Sequence, residues 1–262
     1  MPAESRDDDI RRIRDALNDV AALVSRAVRS EVPVRYLKNG DPTTALDAAI
    51  NQILFENLPR EDEGWLSEDS KDDLERIHAT RVWVVDPIDG TREFVNGIPE
   101  WCVSIGLVEA RQPVAGGILN PSTGEMFLGS VEGGLEVVNP TKSRANTEEN
   151  LRCMLVSRRE HKEGKWASFE NAEIEIKPIG SIAYRLAHVA AGYAAATCTF
   201  DPRNEWDIAA GVALILAASG RVQTSSGGTV LFNQAIPRLP MCFAFGKNCP
   251  SFLTEMLGLE VI

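Results

Sequence analysis

The run Val82-Trp83-Val84-Val85 passes without a break into Asp86-Pro87-Ile88-Asp89-Gly90-Thr91-Arg92-Glu93-Phe94, and this junction constrains the chain more than any other stretch. The apolar run predicts a buried strand. A strand interior disfavours acids, so Asp86 and Asp89 are expected just beyond its carboxyl end. With the Ile88 carbonyl between them they make a compact all-oxygen ligand set for a hard cation such as Mg²⁺. Gly90 lets the backbone come close, and Thr91 adds a hydroxyl and an amide at a helix start, where phosphate is favoured. Metal and phosphate sites on one loop imply phosphoryl chemistry. The competing reading is a capped turn, because Asp-Pro and Asp-Gly are common turn dipeptides.

Composition narrows the partners. A net charge of −11 over 262 residues argues against nucleic acid polymers and anionic membranes, which attract basic faces. A small phosphorylated substrate fits such a chain only if bound cations reverse the local field. The 5 cysteines are scattered, with no Cys-x-x-Cys, and read as buried thiols of a reducing compartment, by default the cytoplasm. With 3 histidines, a zinc site of the Cys/His type is not expected. No apolar run reaches membrane-spanning length, and the charged Asp7-Asp8-Asp9 start excludes a signal-peptide core there.

Along the chain, Ile10, Ile13, Leu17, Val20, Ala21, Val24 and Val28 fall at helical spacing, and Leu46, Ala49, Ile50, Ile53 and Leu54 repeat the pattern. After the acidic junction the period changes. Cys102–Val108, Val114–Leu119, Glu125–Leu128 and Leu135–Val138 predict an antiparallel meander. Thr141–Asn150 is polar and aperiodic, a candidate boundary. Beyond it, strands at Met154–Ser157, Ile174–Lys177 and Ala194–Phe200 alternate with helices near Glu163–Asn171, from Ser181 and from Asp207, suggesting an α/β layer.

Three other patches carry acids. Glu68 and Asp69 follow Gly64-Trp65-Leu66-Ser67 and, taken alone, read as a solvated charged loop rather than a ligand set. Trp206-Asp207-Ile208-Ala209-Ala210 opens an apolar helix with Gly220 as its expected stop; Asp207 is either an N-cap or a carboxylate pointing into a cleft. Lys38, Thr44 and Asp47 surround the start of the second helix, in what alone reads as a turn plus cap.

In this order the patches resemble the inositol monophosphatase superfamily of Mg²⁺-dependent, lithium-sensitive phosphatases. The two signatures stand here as Asp86–Phe94 and Trp206–Ala210, and the likeness runs from about Lys38 to Gly220. The resemblance implies a layered αβαβα sandwich, an antiparallel amino-terminal sheet with a carboxyl-terminal α/β layer, and a homodimer. It implies that Glu68, Asp86, Asp89, Asp207 and the Ile88 carbonyl hold two or three Mg²⁺ ions. Gly90 and Thr91 amides would cradle phosphate, Asp47 and Thr91 would orient and deprotonate the attacking water, and Lys38 would add a phosphate-side charge. Residues 1–145 would form an α+β domain with most ligands, and 146–262 an α/β domain carrying Asp207 and substrate contacts.

Arg92-Glu93-Phe94 and Val156-Ser157-Arg158-Arg159-Glu160-His161 resemble the 3′(2′),5′-bisphosphate nucleotidase branch, although the second segment has an extra residue before the histidine. Ser157, His161 and Arg185 thereby become candidate nucleotide contacts, with surface polar roles as the alternative. Asp41 replaces the usual small serine, and the Ala194–Asn204 stretch lacks a Tyr-Pro-Arg, although Arg203 remains. The implied reaction is hydrolysis of a small phosphate monoester by metal-activated water, first 3′-phosphoadenosine 5′-phosphate to AMP, alternatively an inositol monophosphate or sugar phosphate. Cys198 and Arg203 lie one residue too close for a cysteine phosphatase loop, and Asp86/Asp89 is not the D-x-D of aspartyl-phosphate enzymes. A non-catalytic phosphate or metal sensor on the same fold is the rival from another class.

Overall fold

The computed structural model describes residues 6–27, 33–36, 42–142, 145–169 and 174–258. Lys38, Asp41 and Val28 therefore lie outside the described residues. Helix α1 (Arg6–Ala27) precedes a small antiparallel pair, β1 (Val34–Tyr36) and β2 (Pro42–Thr44), and then α2 (Ala45–Asn57). Next come β3 (Gly64–Ser67), a 3-10 turn at Glu75–His78, β4 (Arg81–Asp89), α3 (Thr91–Val95), β5 (Cys102–Glu109), β6 (Gln112–Asn120), β7 (Glu125–Ser130) and β8 (Gly134–Val138). Strands β3 to β8 form a six-stranded sheet in sequence order. The expected meander is present, but β3 pairs parallel to β4, so the sheet is mixed at this edge.

The remaining elements are α4 (Glu148–Leu151), β9 (Cys153–Ser157), α5 (Arg158–Lys162), β10 (Glu175–Ile179), α6 (Ile182–Ala190), β11 (Ala196–Cys198), β12 (Arg203–Asn204), α7 (Glu205–Ala217), β13 (Arg221–Thr224), β14 (Arg238–Leu239), β15 (Cys242–Phe245) and α8 (Ser251–Met256). A five-stranded sheet orders them β10-β9-β11-β15-β13, with β12 and β14 a separate pair. The helix expected near Glu163–Asn171 is instead the short α5, started by Ser157 as N-cap, with a 3-10 turn at Ala167–Phe169. The strand expected over Ala194–Phe200 narrows to Ala196–Cys198.

Alternation along the strands builds the layers. In β4, Trp83 and Val85 join the core under α1 and α2, while Val82 and Val84 face the core of α6 and α7. In β9, Leu155 faces that same middle layer, and Met154 and Val156 face an outer core with Trp166 and Phe169. Helices α1 and α2, the large sheet, α6 and α7, the smaller sheet, and an outer helical layer thus stack as an αβαβα sandwich.

Helix α7 lies almost on the backbone of the large sheet. A Cβ on Gly106 would sit 2.8 Å from Ala210 N, and one on Gly116 would sit 2.8 Å from Ala210 O. These contacts leave no room for a side chain. They set how close the first turn of α7, with Asp207, comes to the ends of β4 and β5. The expected stop at Gly220 is earlier: α7 ends at Ala217, and the residue with left-handed φ, 61°, is Ser219.

Candidate active site and metal centre

Asp86 and Asp89 are not beyond the strand but within its last residues. Strand β4 runs to Asp89, and the register against β5 shifts between Asp86 and Asp89. The bulge re-aims the chain, as irregularities beside functional sites commonly do. Asp86 is 2% exposed, and its Oδ1 accepts the Ile88 amide at 3.0 Å. Gly90 follows with φ 95°, a conformation glycine adopts without strain, and serves as N-cap of α3. The Thr91 hydroxyl donates to the Ile88 carbonyl at 3.0 Å.

Asp89 is anchored from the other half of the chain. Its Oδ2 accepts the Ser181 hydroxyl and the Ala183 amide, each at 2.6 Å. Ser181 also caps α6, accepting from Tyr184 N at 3.0 Å, with its own φ at 47°. The Cys102 Sγ lies 3.2 Å from the same hydroxyl.

Asp47 and Asp207 occupy equivalent positions on two helices. Each is the third residue of its helix, accepting the N-cap amide: Asp47 from Thr44 at 2.9 Å, and Asp207 from Asn204 at 3.0 Å. Asp207 is therefore the reciprocal partner in a capping box whose N-cap is Asn204, not the N-cap itself. The cap reading of the sequence thus holds for both helix starts, with the acid at the third helical position. Thr91 and Asp47 are each hydrogen bonded elsewhere, to Ile88 and Thr44, and not to one another.

The electrostatics join the acids into one cluster. Burial raises Asp86 well above the usual carboxylate range, and the charges of Glu68, Asp89 and Asp207 raise it further. Asp207 is pushed up to about 7 by burial and then by Asp89. Glu68 is raised to about 8 by the protein wall behind it, then by Asp207, Asp69, Asp89 and Asp47. Its outer edge is open to solvent, which screens it more than the buried pair. Asp89 is raised by burial, against the pull of Ser181, Ala183, Arg185 and Arg203. Burial also raises Asp47.

Such a set is ill suited to stand alone and well suited to hard cations. Its donors are all carboxylate oxygens with the Ile88 carbonyl, and each ionised member opposes the others. Among the described residues, no three Asp, Glu, His or Cys side chains stand placed to hold a metal ion together without moving. One oxygen of each of Asp47, Asp89 and Asp207 is held by the protein's own donors.

Ser157 spends its hydroxyl on the Glu160 amide as cap of α5. The neighbouring Arg158 pairs with Glu100, whose Oε2 also accepts Gly180 N at 2.8 Å, tying α5 to the segment before Ser181. His161 lies in α5, and Arg185 is buried in α6. Asp69, which the sequence set beside Glu68 in a charged loop, is raised to about 6 by burial and Asp47. Sequence reading missed Ser181 as a partner of Asp89, for which no local signal exists.

The sequence profile of the inositol monophosphatase family matches residues 9–242. The chain is 30% identical over 205 residues to the 3′(2′),5′-bisphosphate nucleotidase CysQ of Salmonella typhimurium, covering 76% of this chain and 83% of that one. It is 32% identical over 200 residues to the inositol-1-monophosphatase of Mesorhizobium japonicum, covering 72% and 74%. The crystal structure of extragenic suppressor protein suhB from Bartonella henselae superposes with a TM-score of 0.77 at 25% identity, covering 97% of this chain and 99% of that one. Both signatures, the layered sandwich and the length of these matches agree: the chain belongs to the inositol monophosphatase family and is a phosphoric monoester hydrolase.

Proposed function

We propose that the chain is a Mg²⁺-dependent phosphatase acting on a small phosphate monoester, first 3′-phosphoadenosine 5′-phosphate, giving AMP and phosphate. The observation that carries the metal dependence is Asp86, a buried carboxylate raised by burial and by Glu68, Asp89 and Asp207 together. Acids from the end of β3, the end of β4 and the first turn of α7 lie in one another's fields, a repulsion that bound cations would relieve. Glu68, Asp86, Asp89, Asp207 and the Ile88 carbonyl are the proposed ligands. Mg²⁺ held there supplies charge neutralisation for the phosphoryl group and acidifies water.

The chain's own residues supply position. Asp47 and Thr91 are the proposed pair that orients the attacking water and accepts its proton. The Gly90 and Thr91 amides are the proposed phosphate contacts, with the charge of Lys38 added to them; Ser157, His161, Arg185 and Asp207 are the proposed contacts to the rest of the substrate. In-line displacement depends on positioning and charge neutralisation, so no protein nucleophile is needed. Residues 1–145 contribute most ligands and 146–262 the substrate side, in a homodimer. The first substrate rests on the Arg92-Glu93-Phe94 ending and on likeness to CysQ. The second reading, an inositol monophosphate, rests on a similar likeness to the Mesorhizobium enzyme.

Phosphate release across bisphosphate nucleotides, inositol phosphates and fructose 1,6-bisphosphate tests this, with Mg²⁺, with chelator and with lithium. Release that needs Mg²⁺ and is inhibited by lithium is expected. Full activity in chelator or in high lithium counts against the reading. Tight binding of bisphosphate without release favours a non-catalytic sensor.

A further inference from the structure

Arg76 is a buried guanidinium with every nitrogen in use. The residue is 3% exposed. Its Nε and Nη2 donate to the two oxygens of Asp72 at 3.1 and 2.7 Å. Its Nη1 donates to Asn233 Oδ1 at 2.7 Å, and Nη2 also reaches the Gln234 carbonyl at 3.0 Å. Asn233 returns the contact, its Nδ2 donating to the Arg76 carbonyl at 3.1 Å. Asn233 takes a left-handed φ of 54°, which asparagine tolerates better than most residues. Such a turn can aim two successive amides at one anion. That anion is Glu205, which is fully buried: Oε2 accepts Asn233 N at 2.7 Å and Oε1 accepts Gln234 N at 2.9 Å.

Each end of this chain of bonds is seated on an element that carries an acid of the cluster. Arg76 backs onto β3, where a Cβ on Gly64 would stand 2.9 Å from Arg76 Cβ. Glu68 directly follows the last residue of that strand. Glu205 is the first residue of α7, on the same turn as Asp207. Segment 230–239 is therefore a strap between the two. It pairs Arg238 with Asn204, the N-cap of α7, and its Pro237 carbonyl accepts Glu205 N at 2.9 Å. Phe232 bonds Arg111 in the turn between β5 and β6, through N at 3.1 Å and through O at 3.3 Å. Apolar packing would hold such a strap as firmly, since buried charges seldom outdo hydrophobic contacts in stability. Directional bonds add a fixed position. The acids at the two ends act on each other, the charge of Asp207 raising Glu68.

We propose that Arg76, Asn233 and Glu205 are positioning residues that set the spacing of Glu68 and Asp207, and with it the affinity of the site for divalent cations. This rests on the metal reading of the carboxylate cluster and extends it to residues that act only through the two acids. Without cations the acids repel one another. The strap limits how far that repulsion can move the first turn of α7 away from β3, so less rearrangement is left for the moment of binding.

Titration calorimetry of the metal-free protein with Mn²⁺ reads the spacing without turnover. Arg76→Lys keeps a charge but not the fork that serves Asp72, Asn233 and Gln234 together. Glu205→Gln turns a side-chain NH₂ toward a backbone N–H. Each should weaken Mn²⁺ binding about tenfold, the scale for residues that orient ligands. The double variant should lose little more than either alone, because one broken link frees the strap. Asp9→Ala, in the network under α1, controls for plain loss of stability: its urea midpoint should fall at least as far while Mn²⁺ affinity holds. In turnover, the Mg²⁺ concentration giving half-maximal phosphate release should rise about tenfold in both single variants. Substrate KM at saturating Mg²⁺ should change less than about twofold. Unchanged Mn²⁺ affinity in both variants, additive losses in the double variant, or an equal loss in Asp9→Ala overturns the positioning role. Wild-type protein that binds no Mn²⁺ overturns the metal reading first, and the role of the strap with it.

Discussion

The Ser181 hydroxyl donates to Asp89 Oδ2 at 2.6 Å, joining residues 92 positions apart in the chain. The bond passes from the N-cap of α6 to the end of β4, and the Ala183 amide shares the same carboxylate oxygen. Replacing Ser181 by Ala should weaken Mn²⁺ binding to the otherwise metal-free protein by about tenfold, since residues that orient a ligand typically contribute that much. Titration calorimetry with Mn²⁺ alone is the readout; an unchanged affinity would show that Ala183 suffices to hold Asp89.

Asp89→Asn should lower turnover at least about a hundredfold, as removal of a ligand charge exceeds loss of a supporting contact. The turn itself should survive, because asparagine fits the same space. Steady-state phosphate release with saturating Mg²⁺ checks this, and a mutant keeping most of its activity would return the Asp86–Phe94 segment to a simple turn.

The raised acids fix a sign for pH dependence. Asp69, Asp207 and Glu68, at about 6, 7 and 8, keep protons in the folded state that the unfolded chain has released. The unfolded chain binds fewer protons across that window, so stability of the metal-free protein falls as pH rises from about 4 to 8. Glu63 works oppositely but elsewhere: held at about 2 despite burial by Arg12, Trp83 and Arg81, its stabilisation is lost only as pH falls below its ordinary 4.5. Melting in chelator at pH 5 and pH 8 should therefore favour pH 5, and Mg²⁺ should restore more at pH 8, where the ligands are ionised.

Gly116→Ala should destabilise by about 1–3 kcal/mol, the usual cost of overpacking. Its Cβ would meet the carbonyl of Ala210 at 2.8 Å, a backbone atom that cannot rotate away. Because α7 would shift with Asp207 on it, Mn²⁺ affinity should fall together with the denaturation midpoint. A stability loss with unchanged metal affinity would place the strain elsewhere.

Asp9 is fully buried, and Arg6 and Arg81 both bond its carboxylate. Asp9→Ala should cost about 3 kcal/mol, because removing one partner leaves the arginines partly buried and uncompensated. Urea denaturation reads it directly; turnover per folded molecule should change far less than with Asp89→Asn, since this network lies under α1.

The local chemistry was legible in order along the chain. Helical spacing revealed α1 and α2, alternation revealed the meander, and the two signatures revealed the acids at β4 and α7. Local sequence could not decide whether Asp207 was a cap or a cleft carboxylate, and the structure puts it, like Asp47, in a capping box. Only the tertiary structure could bring Ser181 to Asp89, set α7 onto Gly106 and Gly116, and tie Arg76 to Asn233. The reason is physical: periodicity and capping act over a few residues, whereas desolvation and charge repulsion depend on which distant side chains the packed layers bring together.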